Sequence, residues 1–310
     1  MRNALCNSLV KISSRQDFVF LTGDLGFGAL EPLRAAAGDR FINAGVAEQN
    51  MVSVAAGLAK KGLSPWVYSI APFAYARPFE QIRNDVCLHD LPVKIVGNGG
   101  GYAYGVMGAT HHAIEDYGAM LTLQHMRAFV PAFSEDVSFQ VEALATATHP
   151  TYFRLGRCEK PADFELPAYA PWRKLISGRR GVILGVGPVA GSYIAPLLEL
   201  PDADRPNLWV VAELPVDEET IPWEFLNDLA VSSELIVAEE HVLQGSVGQS
   251  LAHSLLRLGQ SPSEFSHLYA RGYPSGNYGS QQFHRAESGL DIHSLLSRLS
   301  PQTQKRIRFA

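Results

Sequence analysis

Alternation of short apolar runs with helix-period segments constrains this chain more than any other feature. DFVFLTGD (17–24), SPWVYSIA (64–71), LPVKIVGNGG (91–100), GVILGVG (181–187), LWVVAEL (208–214) and ELIVAEEH (234–241) are rich in Val, Ile and Leu. That is the composition of strands buried on both faces. Between them, FEQIRNDVCLH (79–89), VSFQVEALATATH (137–149) and VGQSLAHSLLRLG (247–259) carry apolar residues at helical spacing. Strands separated by helices predict parallel sheets covered on both sides, an α/β fold. At 310 residues, 46% of them hydrophobic, the chain can bury two such cores. The stretch EKPADFELPAYAPWRKLISGRR (159–180) concentrates proline and charge without a period, which places a boundary there. The expected organisation is two doubly wound domains: residues 1–160, a linker over 161–179, and a smaller unit over 180–310.

Charge excludes some partners. A net charge of -5 with no long Lys/Arg run argues against nucleic acid and against an anionic membrane surface. The locally basic tail QKRIRFA reads as a solvated end. Cys6, Cys87 and Cys158 stand far apart without metal-ligand spacing, so neither a disulfide framework nor a zinc site is expected, and a reducing cytoplasm fits. The N-terminus has no signal-peptide core and no apolar run reaches membrane-spanning length. A cytoplasmic location follows as the expectation.

In INAGVAEQNM (42–51), a helix is expected from Val46 to a closing Gly62, with Glu48 in its first turn. A first-turn acid commonly complements the helix dipole. Here the next turns present Val52, Ala55, Ala56 and Ala59, a small apolar face, and a carboxylate opening a buried helix needs a partner. Asp24 ends an apolar run and is followed by glycines, so it forms either a turn or the edge of a ligand site. Phe73, in a Pro-interrupted loop ahead of Arg77, either fills core or walls a flat heterocycle. The glycine-rich loop 97–108 ends in Thr110-His111-His112. His112 and Asp116, four apart, could share a helix face and a metal, but a third ligand at sensible spacing is missing, and a polar contact to phosphate or sugar hydroxyls fits better. No residue is therefore assigned to a metal. GVGPVAG (185–191) with Glu213 imitates a dinucleotide fingerprint, although Pro188 stiffens the turn. Glu239, Glu240 and His241 at a strand end read as structural or interfacial.

Taken in order, INAGVAEQNMVSVAAGLA, PFEQIRNDV, LPVKIVG and GATHHAIEDYGAM, followed by AELPVDEETI and VAEEHVLQGSVGQSLA, resemble the C-terminal half of transketolase and 1-deoxyxylulose-5-phosphate synthase. The likeness is greatest to the separate C-terminal-half subunit of split transketolases. The resemblance implies a pyrimidine-binding domain for thiamine diphosphate, a transketolase C-terminal-like domain, and transfer of a two-carbon ketol unit between sugars or sugar phosphates. It further implies that Glu48 activates the cofactor by sharing a proton with its pyrimidine, that Phe73 stacks on that ring, and that Asp24 and Arg77 line the cofactor cleft. His111 would act catalytically on substrate hydroxyls with His112 beside it, and Arg157, with Arg154 nearby, falls at a substrate-phosphate position.

Met107 stands where the family commonly has an aspartate that contacts a sugar hydroxyl, and a family histidine earlier in the loop is replaced within Asn98 to Gly101. Both changes touch sugar preference. The family's GDG...N magnesium signature is missing from these 310 residues. The resemblance therefore implies an N-terminal-half partner subunit that holds the diphosphate and Mg²⁺, in an α2β2 heterotetramer. The competing readings are the beta chain of a 2-oxo acid dehydrogenase, a non-catalytic regulatory partner, and a nucleotide-binding oxidoreductase built on GVGPVAG.

Overall fold

Residues 1–299 are described by the computed structural model; the basic tail lies outside the described residues. Among the described residues, twelve strands form two sheets: β1 Phe18–Thr22, β2 Phe41–Asn43, β3 Ser64–Ile70, β4 Lys94–Asn98, β5 Arg127–Phe129, β6 Thr151–Leu155, β7 Trp172–Ile176, β8 Val182–Val186, β9 Asn207–Val211, β10 Glu213–Leu214, β11 Glu234–Glu239 and β12 Glu264–Tyr269. The first sheet runs β10-β5-β6-β4-β3-β1-β2 and the second β12-β11-β8-β9-β7. Pairing is parallel throughout except at β10 against β5 and β7 against β9. The α/β class with two mainly parallel sheets is therefore as expected.

All six apolar runs became strands, and β1, β8 and β9 are buried along their whole length. Successive residues serve opposite cores because strand side chains alternate. Phe18 and Phe20 pack with Leu5, Leu9 and Trp66, whereas Val19 and Leu21 pack with Met51, Val52 and Ala55 of the helix Glu48–Lys60. Each fully buried side chain of this size contributes about 1.5–3 kcal/mol.

Two details correct the expected boundaries. The presumed linker 161–179 contains β7, an edge strand of the second sheet antiparallel to β9. Conversely, β10 leaves the second unit and extends the first sheet, Glu213 facing Phe129. β7 is short and proline-flanked, so no period announces it, and the run LWVVAEL gives no sign that it breaks after Val211 and changes sheet.

The two units are joined by buried polar contacts. His241 stacks on Tyr117 with ring centroids 4.0 Å apart, and its Nε2 accepts the Gly118 N–H at 3.0 Å. Arg154 donates to the Ala113 and Glu240 carbonyls, both at 2.8 Å, and to Asp116 at 2.7 Å. Tyr117 donates its hydroxyl to Glu239, which also accepts the Val247 and Gly248 N–H groups at 3.0 and 2.8 Å and so caps the helix Val247–Arg257. Buried charges are tolerated where every one is paired in this manner.

Candidate functional site

The parallel strands β2, β1, β3, β4 and β6 end side by side, and the segments singled out in the sequence follow those carboxyl ends. Such edges are where open α/β sheets hold ligands. Glu48 is the first residue of its helix, which starts two residues later than expected, and the glutamate is only 4% exposed. Ser69, near the end of β3, donates to its Oε1 at 3.3 Å, and Arg77 Nη1 lies 3.0 Å from both carboxylate oxygens. Gly23 flanks the carboxylate, the position of an added Cβ lying 3.6 Å from Glu48 Oε1, an ordinary contact distance. The guanidinium of Arg77 also lies over the half-buried Phe73 ring, 4.0 Å from its centroid. Phe73 belongs to a short helix, Ala71–Tyr75, that β3 feeds directly.

The histidine loop reaches the same place. His111 closes the 3-10 turn Gly105–Thr110 and meets Phe73 edge-on, ring centroids 5.5 Å apart, while its Nδ1 lies 2.9 Å from Thr110 Oγ1. Tyr104 flanks it at 5.6 Å and is held by Asn98, whose Nδ2 donates to the Tyr104 hydroxyl at 2.8 Å. Met107 is 52% exposed on this turn. Asp24 stands exposed beyond β1 in a left-handed conformation, φ +57, its carboxylate accepting from Asn43 at 2.8 Å. Glu48, Phe73, Arg77 and His111 are thus brought into one chain of direct contacts.

Other residues fall elsewhere. His112 is buried, and both ring nitrogens are engaged: Nε2 donates to the Gly105 carbonyl at 2.8 Å and Nδ1 accepts from the Tyr273 hydroxyl at 2.9 Å. Burial lowers its pKa to about 4, so it is neutral and leaves no nitrogen for a substrate. These contacts tie His112 to the loop and to Tyr273, whereas its neighbour His111 is the one that meets Phe73.

His112 and Asp116 share no helix face. His112 lies in a turn, while Asp116 opens the helix Asp116–Met120 and is buried against Arg154 and Tyr152. Between the two candidate arginines, Arg154 is 3% exposed and fully committed, whereas Arg157 stands exposed past the end of β6. No contact joins Arg157 to the Glu48 group among the described residues. The loop GVGPVAG is closed to a phosphate: side chains added at Gly187 and Gly191 would lie 2.4 Å from Val130 and 1.9 Å from the Glu159 carbonyl. Protein already fills the approach that a dinucleotide needs.

Sequence reasoning missed Ser69 and Tyr104. Ser69 did leave a signal, being the polar residue near the end of an otherwise apolar run and on the same strand face as Val67. Nothing in the sequence ties Tyr104 to His111.

The fold is of the parallel, doubly wound α/β class, with the Glu48–Arg77–Phe73–His111 group at the carboxyl ends of its first sheet. The profile for "Transketolase, pyrimidine binding domain" matches residues 1–161. One subunit of the apulose-4-phosphate transketolase of Actinobacillus succinogenes is 28% identical over 83% of this chain and 83% of its own length. 1-Deoxy-D-xylulose-5-phosphate synthase 2 of Geobacter sulfurreducens is 29% identical over 84% of this chain, which spans 42% of that protein. A split-gene transketolase solved as an inactive beta4 tetramer superposes with a TM-score of 0.81 at 29% identity, covering 98% of this chain and 97% of the other. The chain belongs to the transketolase family, as a subunit of the kind that corresponds to the C-terminal half in split transketolases. No helix among the described residues is long and apolar enough to cross a membrane.

Proposed function

We propose that this chain is the pyrimidine-binding subunit of a thiamine-diphosphate-dependent enzyme that transfers a two-carbon ketol unit between sugars or sugar phosphates. The observation that carries this reading is the contact chain Glu48–Arg77–Phe73–His111. A buried carboxylate whose side-chain partners are an exposed arginine and a serine, set beside a half-buried aromatic face, fits an aminopyrimidine. When bound, thiamine diphosphate supplies a carbon nucleophile and an electron sink for cleaving the bond beside a ketose carbonyl.

Residues of this chain do the rest. Glu48 holds a proton at the pyrimidine nitrogen that faces it, and Phe73 orients the ring by stacking. The 45% exposed Arg77 gives up Glu48 as the ring takes its place over Phe73. His111, at the far edge of Phe73, contacts substrate hydroxyls. Exposed Met107, in place of the family's aspartate, favours a sugar lacking the hydroxyl which that aspartate binds. Exposed Arg157 offers a fork for a substrate phosphate, and Asp24 lines the mouth of the cleft.

The diphosphate and its Mg²⁺ need oxygen ligands, which we assign to a partner subunit in an α2β2 assembly of the cytoplasm. A relative solved as an inactive beta4 tetramer supports that division. The test is co-purification with a chain that carries the diphosphate-binding domain, addition of thiamine diphosphate and Mg²⁺, and a screen of ketose donors. Ketol transfer that vanishes in Glu48→Gln is expected. Full activity of Glu48→Gln, or decarboxylation of a 2-oxo acid in place of ketol transfer, would overturn the reading.

A further inference from the structure

At the opposite pole of the first sheet, where its parallel strands begin, three side chains from separate loops converge. Asp90 lies ahead of β4, His125 ahead of β5 and His149 ahead of β6, and these strands are neighbours in the order β5-β6-β4. One donor atom from each lies within 4.8 Å of the other two. His149 Nδ1 is 2.8 and 3.0 Å from Asp90 Oδ1 and Oδ2, and His125 Nδ1 is 4.0 Å from Oδ2. The two imidazole rings stack nearly parallel, 13° apart in tilt, with centroids 6.3 Å apart. Asp90 and His125 both adopt left-handed backbone, φ +50 and +65, a conformation that non-glycine residues take up at some energetic cost.

We propose that Asp90, His125 and His149 form a binding site for a divalent cation of the zinc class. Two imidazoles and one carboxylate are donors of borderline hardness, suited to Zn²⁺ and its first-row neighbours; Mg²⁺ and Ca²⁺ prefer oxygen throughout. Three protein ligands with a fourth position open to water is a zinc arrangement, and these side chains are 36–46% exposed. Zinc–ligand distances near 2.0–2.2 Å set tetrahedral donors about 3.3 Å apart, inside the range spanned here. Binding replaces the hydrogen bond at His149 Nδ1, each imidazole then carrying its proton on Nε2. The ion ties together the starts of three adjacent strands. It sits at the sheet edge opposite Glu48, and the proposal is independent of the function assigned to that end.

The full chain, stripped with a chelator and dialysed, is titrated with ZnCl₂ by calorimetry, then with CoCl₂ by visible absorption. One ion per chain is expected, with tetrahedral Co²⁺ bands and a thermal unfolding temperature raised by roughly a few degrees. His149→Gln and His125→Asn are each expected to weaken binding at least roughly tenfold. Asn suits the left-handed backbone at 125, and melts of both metal-free variants should match the parent. Single-site binding of unchanged affinity in the double variant would overturn the proposal, as would the absence of both heat and thermal shift with the parent chain.

Discussion

Arg77 makes two contacts at once: its Nη1 lies 3.0 Å from both oxygens of Glu48, and its guanidinium lies 4.0 Å above the centre of the Phe73 ring. Stacking on Phe73 and hydrogen bonding to Glu48 are also the two contacts proposed for the pyrimidine. The arginine side chain is 45% exposed and the glutamate 3%, so the arginine is the member able to swing into water. Removing it leaves the buried carboxylate with Ser69 as its remaining side-chain partner. Arg77→Ala is expected to lower the stability of the free chain by about 1–3 kcal/mol, measured by urea denaturation, and Arg77→Lys by less. In the assembled complex, thiamine diphosphate with Mg²⁺ should narrow the gap between Arg77→Ala and the parent. A gap that ligand leaves unchanged would show that the ring does not take over from Arg77.

Glu48→Gln keeps shape and hydrogen bonding but cannot share the proton. Ketol transfer by the reconstituted pair is expected to fall by roughly 10²–10⁴, while the melting curve of the free chain stays close to the parent because Arg77 can turn to solvent. Steady-state rates beside thermal melts separate loss of chemistry from loss of fold.

The pair Arg154–Asp116 is buried on both sides, at 3% and 0% exposure. Arg154→Met leaves buried Asp116 with the Tyr152 hydroxyl as its remaining side-chain partner and no cation, and a loss of about 3–5 kcal/mol is expected, seen as an earlier urea midpoint. Since Arg154 also donates across to the Glu240 carbonyl, proteolysis within 161–179 should quicken in the same variant.

His112 makes the fold sensitive to acid. Burial lowers its pKa from 6.5 to about 4, so the unfolded chain binds a proton that the folded chain refuses. Stability is fully present above pH 6.5 and is lost as the pH falls towards 4, by about 3 kcal/mol in all. Urea midpoints at pH 7.5 and 4.5 should differ less in His112→Gln than in the parent; equal differences would remove His112 as the source.

Much of this was legible one residue at a time. A Val- and Ile-rich run between helical segments becomes a central parallel strand whatever its surroundings, and β1, β3, β4, β8, β9 and β11 were found that way. Six further strands escaped. β2, β5 and β10 have only two or three residues, too few for a period. β6 hides Arg154 in a buried row because Asp116, at the start of a helix distant in sequence, neutralises it. β7 and β12 lie at the sheet edge, where burial no longer demands a continuous apolar run.

Local chemistry in the sequence determined the strands, the start and stop of the Glu48 helix to within two residues, and the need of that carboxylate for a partner. Tertiary structure alone decided which partner it has, that His111 faces Phe73 while its neighbour His112 is sealed between the domains, and that Asp90, His125 and His149 meet at all. The physical reason is range. Backbone propensity and burial act within a few residues and leave a period in the sequence, whereas side chains that meet through packing are set by strand order, which no short window encodes.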